Sequence, residues 1–470
     1  MTNGNQKKVA ILGGNRIPFA RSNKEYADAS NQDMLTAAIE GLVARYGLQD
    51  EELGLVTGGA VLKHSRDFNM VREVVLGSSL ANSTPAMDMQ MACGTGLAAI
   101  VAVGDAIRAG RIESGIGSGV DTTSDAPLAV GDQLRKTLIK LTQAKTTQQR
   151  LKLVGSIRPA QLAPDQPGNG EPRTGLSMGD HAAITAREMN ITREEQDEFA
   201  ATSHQNLAKA YDEGFFEDLI TPYLGVQRDT NLRPDSTPEK LAKLKPVFGK
   251  RDAAQHGTTA TMTAGNSTPL TDGASAVLLS SEEWAKERNL PVRAYLVDSE
   301  VASVDFLHGH DGKTPDGLLM SPTYAVPRML ERNGLTLQDF DFYEIHEAFA
   351  SQTLATLKAW ESEEYCRERL GLDKPLGAID RSKLNVKGSS LAAGHPFAAT
   401  GGRIIATTAK LLEENSGGRA LSRSVLQVAR ASSLSSSANL ASFDSGVKGA
   451  PRRRIILARG APLACSDYER

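Results

Sequence analysis

Two stretches of this chain, 85–121 and 385–420, use one device: a reactive residue on a glycine-rich turn, followed by an apolar helix. In the first, Met87–Ala92 reads as an extended segment broken by Cys93-Gly94-Thr95-Gly96, and Leu97–Arg108 then reads as a nearly all-apolar, hence buried, helix. In the second, His395 sits between Gly394 and Pro396 ahead of a comparable helix. A device repeated at strand–turn–helix junctions restricts the chain to a duplicated α/β unit, although the repeat is one of pattern and not of identity. The flanking sequence agrees. Residues 8–13 and 54–62 read as strands, and 33–46 as an amphipathic helix with Met34, Leu35, Ala38, Ile39, Leu42 and Val43 on one face. A second strand–helix cycle starts near Pro291, and such alternation predicts α/β layers.

Two segments break the pattern. Residues 122–250 hold a basic amphipathic stretch (Leu134 to Leu153), a proline-rich run (Pro159 to Pro172) and two polar helices, and they read as an inserted subdomain. From Ser422 onward the chain is rich in Ser, Arg and Ala without a period, which predicts disorder. The expected division is 1–121 plus 251–285 as one half, 122–250 as the insertion, 286–421 as the second half and 422–470 as an aberrant tail. A net charge of −3 gives no reason to expect nucleic acid or a membrane surface as partner. No apolar run is long enough to span a bilayer, and the N-terminus lacks a signal core. Three sparse cysteines do not make a disulfide framework, so a reducing, cytoplasmic location is expected.

Cys93 is the strongest candidate for chemistry. A thiolate at a helix N-terminus is stabilised by backbone N–H groups and the helix dipole. A lone cysteine is more often an inert buried thiol; the Gly-x-Gly turn shifts the balance towards a nucleophile. His395, set between Gly394 and Pro396, is a candidate base for it. His346, in Glu-Ile-His-Glu-Ala-Phe-Ala, lies where a strand runs into a helix, and Glu347 beside it could cap that helix or orient the ring.

The motifs MACGTG around Cys93, GNSTPLTDGAS at 265–275, HEAF at 346–349 and GSSLAAGHPFAATGGR at 388–403 resemble those of the thiolase family, in the family's order. HEAF and the basic insertion resemble the branch that contains β subunits of fatty-acid-oxidation complexes. The resemblance implies the thiolase fold: two duplicated α/β halves in a five-layered αβαβα arrangement, with the insertion covering a coenzyme A site. It implies that Cys93 carries an acyl group as a thioester, that His395 takes the thiol proton, and that His346 helps to form an oxyanion hole for a thioester oxygen. Ser177 and Met178, with Ser267 and Thr268, match segments that line the pantetheine channel, and backbone N–H groups near Cys93 and Gly394 would complete the oxyanion holes. Ser389 stands where the family usually has glycine, which is tolerable unless that position needs a positive φ. Acyl-CoA thioesters would be the substrates, with no further cofactor and no metal. A homodimer or homotetramer is expected, or a complex with a hydratase–dehydrogenase α subunit.

The family also has a second reactive cysteine near its C-terminus, in a segment like C-T-A-G-G-x-G, which exchanges a proton with the α-carbon of the attacking acyl-CoA. This chain has none. After Arg419-Ala420-Leu421 comes Ser-Arg-Ser-Val-Leu-Gln-Val-Ala-Arg-Ala. Permitted codons for those residues, read from the third base of the Ser422 codon, spell Thr-Val-Cys-Thr-Ala-Gly-Gly-Lys-Gly. This points to a shifted reading frame just after Leu421, and Cys465 has none of the motif's glycines. The expectation is an acyltransferase impaired in its carbon–carbon step. Two alternatives remain: a decarboxylating condensing enzyme that needs only the Cys-His-His set, and a non-catalytic CoA-binding partner subunit.

Overall fold

A computed structural model describes residues 6–168, 170–308, 315–423 and 453–460. Its strands are β1 (Val9–Arg16), β2 (Ala20–Arg21), β3 (Leu55–Gly58), β4 (Ala86–Asp88), β5 (Ser114–Asp121), β6 (Ala129–Val130), β7 (Pro164–Asp165), β8 (Thr271–Ser281), β9 (Ala294–Ala302), β10 (Phe342–Ile345), β11 (Gly418–Arg423) and β12 (Arg453–Gly460). Apart from the β6–β7 pair they form one curled sheet in the order β10-β11-β12-β9-β1-β8-β5-β3-β4, with β2 beside β8. Strands β1, β5 and β8 are buried along their whole length, which is why they read as apolar or small-residue runs and not as alternating patterns.

Both halves contribute a helix to the layer between the two ends of the sheet. Thr95–Arg108 and Thr400–Glu414 share one core with β1, β8 and β9, through Leu97, Ile100, Ile404, Ile405, Val9, Leu279 and Leu296. Their N-terminal turns touch through backbone: a Cβ on Gly96 would lie 2.3 Å from the Ala398 carbonyl oxygen, and one on Gly401 would lie 2.4 Å from the Leu97 nitrogen. Helix Asn31–Tyr46 covers the outer face of the first half, burying the face expected of it. Helices Ser321–Asn333 and Ala350–Glu361 cover the second. The expected five-layered α/β arrangement is the arrangement found.

The tail corrects the sequence reading. Ser422 and Arg423 complete β11, and Ile455–Ala458, which the sequence places in an aberrant segment, lie in β12 between β11 and β9. The physical reason is the gap itself: an empty slot there would leave two rows of unpaired backbone groups inside the sheet. Ile455 is fully buried in the shared core. Yet β12 breaks the symmetry of the halves. In the first half the strand between β5 and β1 is β8, antiparallel to both neighbours. In the second half β12 fills the corresponding slot parallel to both of its neighbours. Residues 424–452 and 461–470, and with them Cys465, lie outside the described residues. Ile455→Ala is expected to lower stability by about 2–5 kcal/mol, the usual cost of emptying a buried aliphatic position. A denaturant midpoint equal to that of the unaltered chain would show that β12 contributes nothing to the core.

The segment 122–250 divides in two. Helices Asp132–Gln143 and Thr147–Gly155 bury none of their residues, and Leu138, Ile139, Leu151 and Val154 are exposed. Of the basic side chains there, Lys136 pairs with Asp132 at 2.6 Å, Arg135 pairs with the same carboxylate, and the Arg150 Nε donates to the Ala144 carbonyl at 3.2 Å. Helices Met178–Glu188 and Arg193–Asp212 behave differently: both bury apolar faces against residues of the second half, Met178 beside Leu318 and Leu319 and Leu207 beside Ala392.

Candidate active site

Cys93 ends a strained turn. Ala92, which precedes it, has φ +44, a left-handed conformation that costs a non-glycine residue energy. Thr95 holds the turn closed: its Oγ1 accepts from the Met91 N–H at 2.8 Å and donates to the Ala92 carbonyl at 2.6 Å. The result places a nearly buried thiol, 6% exposed, at the start of helix Thr95–Arg108.

The Gly96–Ala398 contact brings a second turn to the same place, with Cys93 and His395 each three residues upstream of it. Gly394 adopts φ +100, and a Cβ there would lie 2.6 Å from Thr271 Cγ2, so only glycine fits. Its N–H donates to the Ser390 carbonyl at 2.8 Å. Gly394 therefore supplies a backbone conformation, its own N–H being engaged in the turn. The following N–H, of His395, donates to Thr271 Oγ1 at 2.7 Å. Asp121 ties this turn to the first half, its carboxylate accepting from the Ala398, Val61 and Leu62 N–H groups. Burial pushes that carboxyl up to about 7 despite those donors.

The His395 and His346 rings lie together, centroids 4.1 Å apart and tilted by 47°. Burial, with the Arg403 cation adding to it, holds the His395 imidazole down at about 3, so the ring is uncharged at neutral pH. Thr400 Oγ1 lies 2.6 Å from its Nδ1. A proton donated there leaves the Nε2 lone pair to take the thiol proton, and a thiolate formed nearby would strengthen the base. His395→Ala is expected to slow acylation of Cys93 by about 10²–10⁴-fold, the usual worth of a positioned base. An unchanged alkylation rate at neutral pH would mean that the helix alone activates the thiol.

Glu347 neither caps the helix nor bonds to the His346 ring. Its Oε2 accepts from Ser203 Oγ at 2.7 Å and the Leu391 N–H at 3.2 Å, and its Oε1 accepts from Asn385 Nδ2 at 2.5 Å. It thus locks the helix at 193–212, the turn at 385 and the helix at 390–393 around the HEAF turn. Ser389 has φ −139, so the glycine of the family pattern is not required for conformation.

The substrate-lining candidates are spread over two places. Thr268 N–H and Oγ1 both donate to the Ala348 carbonyl at 3.0 Å, and Ser267 bridges Phe349, so both sit on the HEAF turn. Ser267 Oγ is buried without a hydrogen-bond partner among the described residues. Met178 packs in one cluster with Phe349 and Phe248. Ser177 stands apart as the cap of helix Met178–Glu188, its Oγ accepting from the Asp180 N–H at 3.1 Å. Sequence reasoning missed Thr95, Asp121, Ser390, Thr400 and Arg403; all but Asp121 lie inside the quoted motifs. Among the described residues no group of three or more His, Cys, Asp or Glu is placed to hold a metal ion.

A thiol at a helix start, on a turn packed against the turn that carries His395, with His346 beside that ring, is an arrangement suited to cysteine-based acyl transfer. Residues 9–283 match the family model described as thiolase, N-terminal domain, and residues 301–434 the thiolase, C-terminal domain. The chain is 39% identical over 420 residues to the 3-ketoacyl-CoA thiolase of Serratia proteamaculans, covering 88% of this chain and 93% of the relative. It is 40% identical, with the same coverage, to the 3-ketoacyl-CoA thiolase of Pectobacterium carotovorum. Human mitochondrial 3-ketoacyl-CoA thiolase superposes with a TM-score of 0.72 at 26% identity, over 90% of this chain and 97% of that one. The acetyl-CoA acetyltransferase of Bacillus anthracis superposes with 0.71 at 25% identity, over 91% and 99%. The chain belongs to the thiolase family, and its activity class is that of a thiolase-type acyltransferase.

Proposed function

We propose that this thiolase cleaves 3-ketoacyl-CoA or condenses acyl groups through a thioester on Cys93, and that the chain as it stands loads the acyl group far better than it works the carbon–carbon bond. The observation that carries the first part is the meeting of the strained Cys93 turn with the His395–His346 pair. In the degradative direction the Cys93 thiolate attacks C3 of the substrate. The C2–C3 bond breaks, its electron pair moves onto the acetyl-CoA fragment as an enolate, and a proton at C2 completes acetyl-CoA. A second CoA thiol then takes the acyl group from Cys93. Cys93 and His395 serve loading and discharge. The proton at C2 needs a further acid, and the segment that would supply it in the family is absent from this sequence. The parallel direction of β12 supports the same view, since the equivalent strand of the first half runs the other way.

The substrates are acyl-CoA thioesters of the fatty-acid β-oxidation type, and CoA is the only carrier the reaction requires. We place the protein in the cytoplasm as a homodimer or homotetramer, or bound to a hydratase–dehydrogenase subunit. Among the described residues no helix is long and apolar enough to cross a membrane. The test is to incubate the full chain with an acyl-CoA, locate the adduct by mass spectrometry, and then add CoA or acetyl-CoA. An adduct on Cys93 that CoA discharges and acetyl-CoA does not condense with is the expected result. An adduct on Cys366 or Cys465 alone would sink the assignment. Turnover of malonyl thioesters but not of acetoacetyl-CoA would favour the decarboxylating reaction instead.

A further inference from the structure

Behind His346 lies a buried hydrogen-bond chain with a fixed direction. Arg403, 3% exposed, extends one guanidinium nitrogen to Ser389 Oγ at 2.9 Å and to Ser390 Oγ at 3.0 Å. A guanidinium only donates, so both hydroxyls accept from it, and each has one proton left to give. Ser389 Oγ is 3.4 Å from the Ile345 carbonyl, its available acceptor. Ser390 Oγ is 2.7 Å from His346 Nδ1 and, among the described residues, its side chain has no other hydrogen-bond partner besides Arg403. Its proton therefore points at Nδ1, which must accept. Ser389, the residue that the family pattern does not expect, shares the guanidinium and fixes it between two hydroxyls.

We propose that Ser390, held by Arg403, sets the tautomer of His346, so that Nε2 carries the proton and serves as the hydrogen-bond donor of the oxyanion hole. This rests on the reading of His346 as an oxyanion-hole residue. The charged groups around the ring are the Arg403 cation, Glu344, whose carboxyl burial pushes up to about 8, and Glu347, the chain neighbour of His346, whose carboxyl burial also pushes up. A neutral ring has one proton, and which nitrogen holds it depends on what the other nitrogen meets. Without the Ser390 hydroxyl, Nδ1 could keep the proton and Nε2 would present a lone pair to a developing negative charge. Ser390 and Arg403 are thus positioning residues, acting on substrate through His346.

The direct readout is nitrogen NMR of the full chain labelled with 15N-histidine, His346 being assigned by its loss in His346→Gln. The expected spectrum has a pyridine-like shift at Nδ1 and a pyrrole-like shift at Nε2. Ser390→Ala should move the proton to Nδ1 or mix the tautomers. It should also slow single-turnover acylation of Cys93 by acetyl-CoA roughly tenfold to a hundredfold, short of the about 10²–10³ lost when an oxyanion donor is removed outright. A pyrrole-like Nδ1 in the unaltered chain overturns the proposal, and so does a ring with both nitrogens protonated. A Ser390→Ala protein that keeps both tautomer and rate shows that the hydroxyl does not set the proton. If His346→Ala leaves the single-turnover rate intact, the oxyanion-hole reading fails, and the spectra still report on Ser390 independently.

Discussion

Cys93→Ala should show no acyl adduct with any acyl-CoA, the largest effect expected of a single substitution in this chain. Among the described residues no other thiol has comparable surroundings. Cys366 is fully buried, its thiol lies 3.5 Å from the Ala359 and Trp360 carbonyl oxygens, and burial pushes it up, away from the thiolate form. Cys93 has the opposite setting: a helix start, a strained turn and a buried imidazole one turn contact away. Intact-mass and peptide-level mass spectrometry after incubation with acyl-CoA decide the matter. Residual adduct in Cys93→Ala at the level of the unaltered chain would place the nucleophile elsewhere. Cys93→Ser should fold alike and acylate slowly, since a hydroxyl is a far weaker nucleophile at neutral pH.

The second large effect concerns the C-terminus. A version whose reading frame is restored after Leu421, so that Thr-Val-Cys-Thr-Ala-Gly-Gly-Lys-Gly follows, should raise thiolysis of 3-ketoacyl-CoA by several orders of magnitude. That is the loss typical when one member of a concerted catalytic set is removed. Acylation of Cys93 should change little between the two versions, because its residues all precede the break. Equal thiolysis rates would show that the tail as it stands supplies whatever the second step needs. The same pair of proteins reads the fold. The restored chain can fill the slot between β11 and β9 through a short connection, whereas β12 reaches it as a parallel strand after residues 424–452.

Much of this site was legible because its chemistry and its backbone requirements coincide in short motifs. Gly394, His395 and Pro396 are adjacent in sequence, and the glycine's positive φ is what allows the histidine to be aimed. Cys93 was legible for the same reason. What could not be read was the set of residues whose work is purely relational. Nothing in the sequence tells that Asp121 meets the Ala398 N–H, or that Arg403 meets Ser390, because those pairs depend on how the two halves dock. Glu347 shows the limit from the other side: adjacency to His346 suggested a partner for the ring, while the fold turns the carboxylate towards Ser203 and Asn385. The strand at 453–460 departs from the expectation for a thermodynamic reason. Composition predicted disorder for 422–470 as a free segment, but a segment is not free when an unfilled slot in a sheet offers paired hydrogen bonds on both sides.

The backbone contact between Gly96 and Ala398, with Gly401 against Leu97, bears on how such an enzyme could change. A close-packed seam of this kind has no room to yield, so any side chain added at Gly96 or Gly401 would drive the Cys93 and His395 turns apart together with their helices. The distance between Cys93 and His395 is in effect a constant of the architecture. On the proposed reading, new acyl groups are accommodated from outside it, by the segments around Met178, Ser267 and the exposed hairpin at 128–165. In a directed-evolution experiment for altered chain length, accepted substitutions should accumulate there and be missing from the seam.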